Sequence, residues 1–175
     1  MSTRQHAVVE YLTKIASASI IRPNDTTAYA PGDIIASASG EVLRFDEVTR
    51  VLCGGRSGAI DCARLTSSAN QSATDMELWL FADQLPTLGA DNAALALADD
   101  DLNLLAGIIP FPADDWRVSN PASGASGNAV CEARNLSLPF VAVNTLYGVL
   151  VVRGDSGYTP VASERFGVAL VIYQD

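Results

Sequence analysis

Apolar and polar residues alternate along most of this chain, and long helical periodicity is scarce. In "MELWLF" (Met76 to Phe81), Met76, Leu78 and Leu80 fall on one face and Glu77, Trp79 and Phe81 on the other, the period of a β-strand. The runs "LYGVLVVRG" (Leu146 to Gly154) and "FGVALVIYQD" (Phe166 to Asp175) are apolar on both faces, which places them inside a core or beneath another subunit. Turn formers punctuate these runs at "CGGRSG", "LPTLGADN", "NPASGASGN" and "GDSGY". Short strands so separated predict an all-β fold, an antiparallel β-sandwich or barrel.

Two segments resist the strand pattern. In "ALADDDLNLLAG", Asp99 is placed to cap one short helix near 99–106 that buries Leu102, Leu105 and Ala106 and stops at Gly107. Between Val8 and Ser19, the positions Val8, Leu12, Ile15 and Ser19 fit a helix, while "TKIASASI" fits a strand. The division expected is an N-terminal arm or first strand over residues 1–19 and a single β-sandwich domain over 20–175. "SNPASGASGNA" (Ser119 to Ala129), with no charge and no large side chain, reads as a long loop.

At 175 residues the chain suits one domain with a self-sufficient core. No apolar run is long enough to span a bilayer, and the N-terminal segment lacks a signal-peptide core, so no membrane partner is expected. The formal charge is −9, and no two Lys or Arg are adjacent, which argues against nucleic acid as a partner. Three cysteines without an export signal imply free thiols. Cys53 and Cys62 would face each other only if Ser57 and Gly58 formed a two-residue hairpin loop.

Candidate chemistry is thin. "GDSG" (Gly154 to Gly157) is similar to the nucleophile loop of chymotrypsin-like proteases, but that reaction needs a histidine base held by a carboxylate. The single histidine, His6, lies in a polar segment near the N-terminus, so a hairpin turn is the better reading. Asp99, Asp101 and Asn103 are spaced like the start of a calcium loop, yet its sixth and twelfth positions hold Leu104 and Pro110. The acids suit a helix N-terminus instead. No P-loop lysine, no paired zinc spacing and no distinguished carboxylate pair stand out. The expectation is no enzyme, no catalytic residue, no metal and no cofactor.

The most distinctive stretch is "IIRPNDTTAYAPGDII" (Ile20 to Ile35). Pro23 ends strand pairing, and Asn24 and Asp25 are placed to bond nearby backbone amides. Thr26 and Thr27 favour extended backbone, and Tyr29 is expected to lay its ring on the sandwich with its hydroxyl at an edge. Pro31 and Gly32 fit the centre of a type II turn, with Gly32 at positive φ. The stretch reads as a corner joining the first strand to the second rather than a ligand loop.

"RPNDTTAYAPGD" resembles an Arg-Pro-x-Asp-Thr-Thr-Ala-Tyr-x-x-Gly-Asp string in a family of tailed-bacteriophage virion proteins. The similarity continues through "LCGGRSGAIDCARL", "ELWLFAD", "ADNAALALADDDLNLLAG" and the C-terminal pair of runs, nearly the whole chain. The start, "MSTRQHAVVEYLTK", departs from it. The resemblance implies a jelly-roll β-sandwich acting as a head decoration, or cement, protein. Its site would be the virion, on the capsid exterior, after synthesis in the host bacterial cytoplasm, and its partner the major capsid protein of a phage head. Contacts are expected from Ser2 to Val9 and from Ser123 to Asn128. The doubly apolar C-terminal run further predicts self-association, as a trimer or next as a dimer. The alternatives are another virion component (tail, baseplate or head-fibre module) and a carbohydrate-binding sandwich, for which two tryptophans and five tyrosines are a thin supply of aromatics.

Overall fold

The computed structural model describes residues 12–49, 57–69, 74–85, 89–119, 128–142, 144–155 and 157–174. Over these the chain forms β1 (Leu12–Ile21), β2 (Ile34–Ile35), β3 (Leu43–Asp46), β4 (Ser57–Ser67) and β5 (Met76–Phe81). There follow the helix α1 (Asp99–Leu102), β6 (Leu105–Phe111), a 3-10 turn at Ala113–Asp115 and β7 (Arg117–Val118). The last strands are β8 (Ala129–Ala133), β9 (Leu138–Val141), β10 (Thr145–Val152) and β11 (Arg165–Gln174). The larger sheet runs β1-β11-β4-β8-β7 with β9 also on β4, and the smaller runs β2-β10-β5-β6 with β3 also on β10. Every one of these pairings is antiparallel.

Two strand positions are interrupted. β2 and β3 lie on successive parts of β10, with Ile34 opposite Val151 and Leu43 opposite Gly148. β8 and β9 do the same on β4, with Ala129 opposite Ser67 and Leu138 opposite Ile60. Taking each interrupted pair as one position, and β7 as a short addition to the edge at β8, leaves eight positions. They run 1-8-3-6 in one sheet and 2-7-4-5 in the other. That order is a jelly roll, in which two Greek keys fold onto one another.

The alternation explains the packing. Ala16, Ile20, Ile60, Leu65, Phe166, Val168, Leu170 and Ile172 point inward from the larger sheet. They meet Ile35, Phe45, Met76, Leu78, Leu80, Phe111, Leu146 and Leu150 from the smaller one. Each such buried side chain contributes about 1.5–3 kcal/mol.

Several expectations change. The ambiguous N-terminal stretch is strand from Leu12 onward, paired with β11 along its whole length. The helix is shorter than its pattern predicts: Ala98, not Asp99, is the cap, and its amide donates to Asp101 Oδ2 at 2.9 Å. Leu102 is 50% exposed rather than buried. Leu105 and Ala106 belong to β6, where Leu105 pairs with Phe81. A ladder beside β5 satisfies that backbone and packs Leu105 against the Phe81 cluster on the smaller sheet's outer face. Ser57 and Gly58 are not a turn; they open β4 and pair with Val141 and Phe140. Cys53 lies outside the described residues, and Cys62 and Cys131 are free thiols. The Gly157 amide closes a turn onto Gly154 O at 2.8 Å, but the chain does not return along β10. Tyr158 bridges to Tyr29 instead, so "GDSG" is a turn and not a hairpin.

Candidate functional site

Where β1 ends, the chain buries a charge. Arg22 is 2% exposed, and its Nε donates to the Tyr29 hydroxyl at 2.6 Å. Its Nη1 donates to the Asp25 carbonyl at 2.9 Å, and its Nη2 lies 3.3 Å from Asp25 Oδ1 and 3.5 Å from Asp91 Oδ2. Tyr29 passes the chain on, donating to Asp91 Oδ1 at 2.7 Å, and that oxygen also accepts the Ala36 amide at 2.8 Å. The Tyr29 ring stacks on Tyr158, whose hydroxyl donates to the buried Glu164 carboxylate at 2.6 Å. Ser67 and the Val161 amide complete the shell of Glu164. Burial pushes both tyrosine hydroxyls well above their ordinary range, and the neighbouring Glu164 charge adds to this at Tyr158. Accepting the Thr27 amide, and then pairing with Arg22, holds the Asp25 carboxyl below its usual value.

These contacts settle what the Arg22–Asp33 stretch does. Asp25 accepts the Thr27 amide at 3.0 Å, Asp33 Oδ2 accepts the Ala30 amide at 2.7 Å, and Gly32 sits at φ +98° in the turn that Ala30 O and Asp33 N close. It is a corner, as the turn formers predict. Tyr29 differs from expectation: it is buried to its hydroxyl, because Arg22 and Asp91 meet the hydroxyl inside. No buried side-chain atom of the network lacks a partner among the described residues, so the buried part of the corner is a satisfied structural clamp.

Asp91 connects the clamp to the smaller sheet's outer face. That face carries Ile34, Trp79, Phe81, Val149 and Val151, and Leu85, Leu95, Leu97 and Leu104 from the stretch between β5 and β6 pack over it. Backbone bonds pin the cover: Ala82 N to Leu104 O at 2.8 Å, Ile34 N to Ala93 O at 2.9 Å and Leu95 N to Gly32 O at 2.9 Å. The doubly apolar β10 is therefore covered by its own chain, not by another subunit.

The larger sheet's outer face has no such cover among the described residues. Register places Ser19, Gly167, Thr66, Val130 and Arg117 in one row across five strands, and Ser17, Ala169, Arg64 and Glu132 in the next. The small residues of these rows, Ser17, Ser19, Thr66, Gly167 and Ala169, form the floor of a trough of about 930 Å³. Arg64, Arg117 and Arg165 line it, with Ser68, Ser119 and Asn128, and no acidic residue does among the described residues. Arg165 Nη2 donates to Ser19 Oγ at 2.9 Å, and Arg117 Nη1 donates to the Asp114 and Trp116 carbonyls at 3.0 and 3.1 Å. Neither joins an ion pair among the described residues, whereas Arg64 meets Glu132 at 2.7 Å. Of the exposed large apolar residues among the described ones, Ile15, Ile21, Val141 and Tyr173 lie on this face. Ile15 and Tyr173 stand toward one end of β1 and β11, and Ile21 stands beside Arg165 at the other.

The residues expected from sequence to make contacts fall mostly outside the described residues: Ser2 to Val9, and Ser123 to Gly127. Asn128 is described, and it lines the trough, its amide held by Ser119 Oγ at 2.9 Å. His6 and Ser156 also lie outside. Asp99 to Asp101 form the first turn of α1, as the helix reading of those acids holds. The Cys131 thiol is pushed up to about 11, chiefly by burial, which leaves it a packing residue and not a nucleophile. Sequence reasoning missed Arg22, Asp91 and Glu164, which meet only through the fold. It also missed Arg117 and Arg165, although the strand period starting at Arg165 already sets it apart from the inward Phe166.

No protein-family model matches the chain, and no curated protein does. Among solved structures, the chain is similar to one from the cyanophage Pam1 capsid asymmetric unit, at 13% identity and a TM-score of 0.39, over 100% of this chain and 93% of that one. It is also similar to one from Desmodium yellow mottle tymovirus (10% identity, TM-score 0.31, 99% and 92% covered). A third is from turnip yellow mosaic virus (8% identity, TM-score 0.30, 99% and 85% covered). TM-scores this low do not define a shared fold, and the jelly-roll assignment rests on the strand order alone.

Proposed function

We propose that this chain is a structural protein of a bacteriophage virion, a head decoration protein that docks on the outside of an assembled shell and stabilises it against internal pressure. The observation that carries the docking role is the asymmetry of the sandwich. One sheet is closed by the chain's own cover, and the other presents a face uncovered among the described residues, with a cationic trough and four exposed apolar residues. The resemblance of "RPNDTTAYAPGD" to phage virion proteins supports the phage head as the address. The partners in this reading are the major capsid protein and further copies of the chain, a trimer first, since closed cyclic symmetry suits a capsid axis.

A cement acts by linkage. Binding only the expanded shell lowers that state's free energy by RT ln(1 + [L]/Kd), about 2.7 kcal/mol per site at a hundredfold excess over Kd. The test is to make heads without this protein and follow DNA release on heating. Heads should form, leak at a lower temperature, and recover when purified protein is added back. Failure of any shell to assemble, or equal heat resistance of naked heads, would contradict the role.

A further inference from the structure

We propose that the trough between Arg64, Arg117 and Arg165 binds an extended acidic peptide supplied by a neighbouring virion protein. This rests on the reading of the larger sheet as the docking face, and it names the chemistry that the face recognises. The chain carries 20 acidic residues against 11 basic ones, so a trough lined by three arginines, with a single carboxylate at its edge (Glu132, paired with Arg64), is a local reversal of sign. Two of those arginines have no carboxylate partner among the described residues, and their donors are met only by a serine hydroxyl and backbone carbonyls. Arginine forks are well matched to carboxylates, which they hold by two parallel bonds.

The register fixes the shape of the occupant. Arg165 is bonded to Ser19 on β1, Arg64 is on β4 and Arg117 is on β7. Neighbouring strands lie about 4.8 Å apart, so from Ser19 on β1 to Arg117 on β7 the trough is roughly 19 Å across. A free phosphate or sulfate would occupy one end of such a site only. A polyproline-type peptide rises about 3.1 Å per residue and repeats every three residues, so carboxylates at every third position recur at roughly 9 Å. Between the cations the floor is Gly167 and Ala169, and a Cβ added at Gly167 would meet Thr66 Oγ1 at 2.8 Å. Thr66 Oγ1 takes up that space, so the floor stays low and polar, lined by the Ser17, Ser19 and Thr66 hydroxyls. No aromatic ring lines the trough, so it lacks the stacking platform that nucleic-acid bases or sugar rings would use.

The experiment uses the isolated protein and fluorescence anisotropy of a labelled nonapeptide, three repeats of Asp-Pro-Ser. The controls are the same peptide with Asn for Asp, a heparin-derived hexasaccharide and inorganic phosphate. Expected is binding of the Asp peptide at least about tenfold tighter than the Asn peptide, weakened by salt, and lost by at least about tenfold in Arg165→Gln/Arg117→Gln. A second variant, Ser19→Glu, keeps every arginine and places a carboxylate beside Arg165; it should compete with the peptide to a similar extent. Thermal unfolding of each variant shows that it is folded. Equal binding of Asp and Asn peptides, unchanged affinity in both variants, or binding of the hexasaccharide or phosphate alone would overturn the proposal. Heads still decorated by Arg165→Gln/Arg117→Gln would remove the trough from docking while leaving decoration intact; loss of peptide binding and decoration together supports both.

Discussion

The two sheets of this sandwich have outer faces of opposite character. On the smaller sheet, Phe81, Val149 and Val151 are sealed beneath Leu85, Leu95 and Leu97, and the seal is fastened by Asp91 to Arg22 and Tyr29. On the larger sheet, Ile15 is 65% exposed and Val141 69%, and arginines stand around a floor of serine, glycine and alanine. The difference teaches how to tell a folding face from a working face. The first has its central apolar groups covered and its clamp's buried polar atoms satisfied within the chain. The second leaves apolar area at the surface, and two arginines without a carboxylate partner among the described residues.

The contrast breaks most visibly at the sealed face. Phe81→Ala opens a cavity under the cover and should cost about 4 kcal/mol in denaturant unfolding. An effect below about 1 kcal/mol would mean that the cover contributes little. Asp91→Ala removes the acceptor shared by Tyr29 and the Ala36 amide and the second carboxylate near the buried Arg22. It should cost about 3 kcal/mol, and proteolysis should then cut first between β5 and β6.

A smaller effect is expected from pH. Tyr29 and Tyr158 have folded-state values raised above the tyrosine value of about 10 that applies when unfolded. Their contribution is intact below about pH 10 and is lost as pH rises past it toward the folded values, because the unfolded chain ionises first. The urea midpoint should fall above about pH 10, and Tyr158→Phe should fall less steeply than the unaltered protein. The smallest stability change belongs to the open face: Ile15→Ser with Ile21→Ser should shift unfolding by no more than about 0.5 kcal/mol. The same double variant should lower occupancy on heads in an add-back assay, which is the reverse of the order expected for Phe81→Ala.

Much of the fold is legible in the strand period. "MELWLF" divides its residues between two apolar layers as read, with Met76, Leu78 and Leu80 in the main core and Trp79 and Phe81 beneath the cover. Pro31-Gly32 gives its turn because only a residue tolerant of positive φ fits there. "ALADDDLNLLAG" misleads because its leucines answer to a neighbouring strand and a cover rather than to a helical face. The clamp is illegible for a different reason. Arg22 and Asp91 are far apart in sequence, and nothing local shows that an arginine after a strand end will turn inward. The trough is half legible, since the period places Ser17, Ser19, Gly167 and Arg165 outward, but only strand order brings Arg117 into their row.

The most direct test of the docking assignment is an image of the decorated head at a resolution that orients the sandwich. The larger sheet should lie against a neighbouring chain, with Ile15, Ile21 and Arg165 covered and the Leu85–Leu104 cover turned to solvent. A particle in which the cover meets the shell, and the arginine trough faces open solvent with nothing on it, would contradict the assignment.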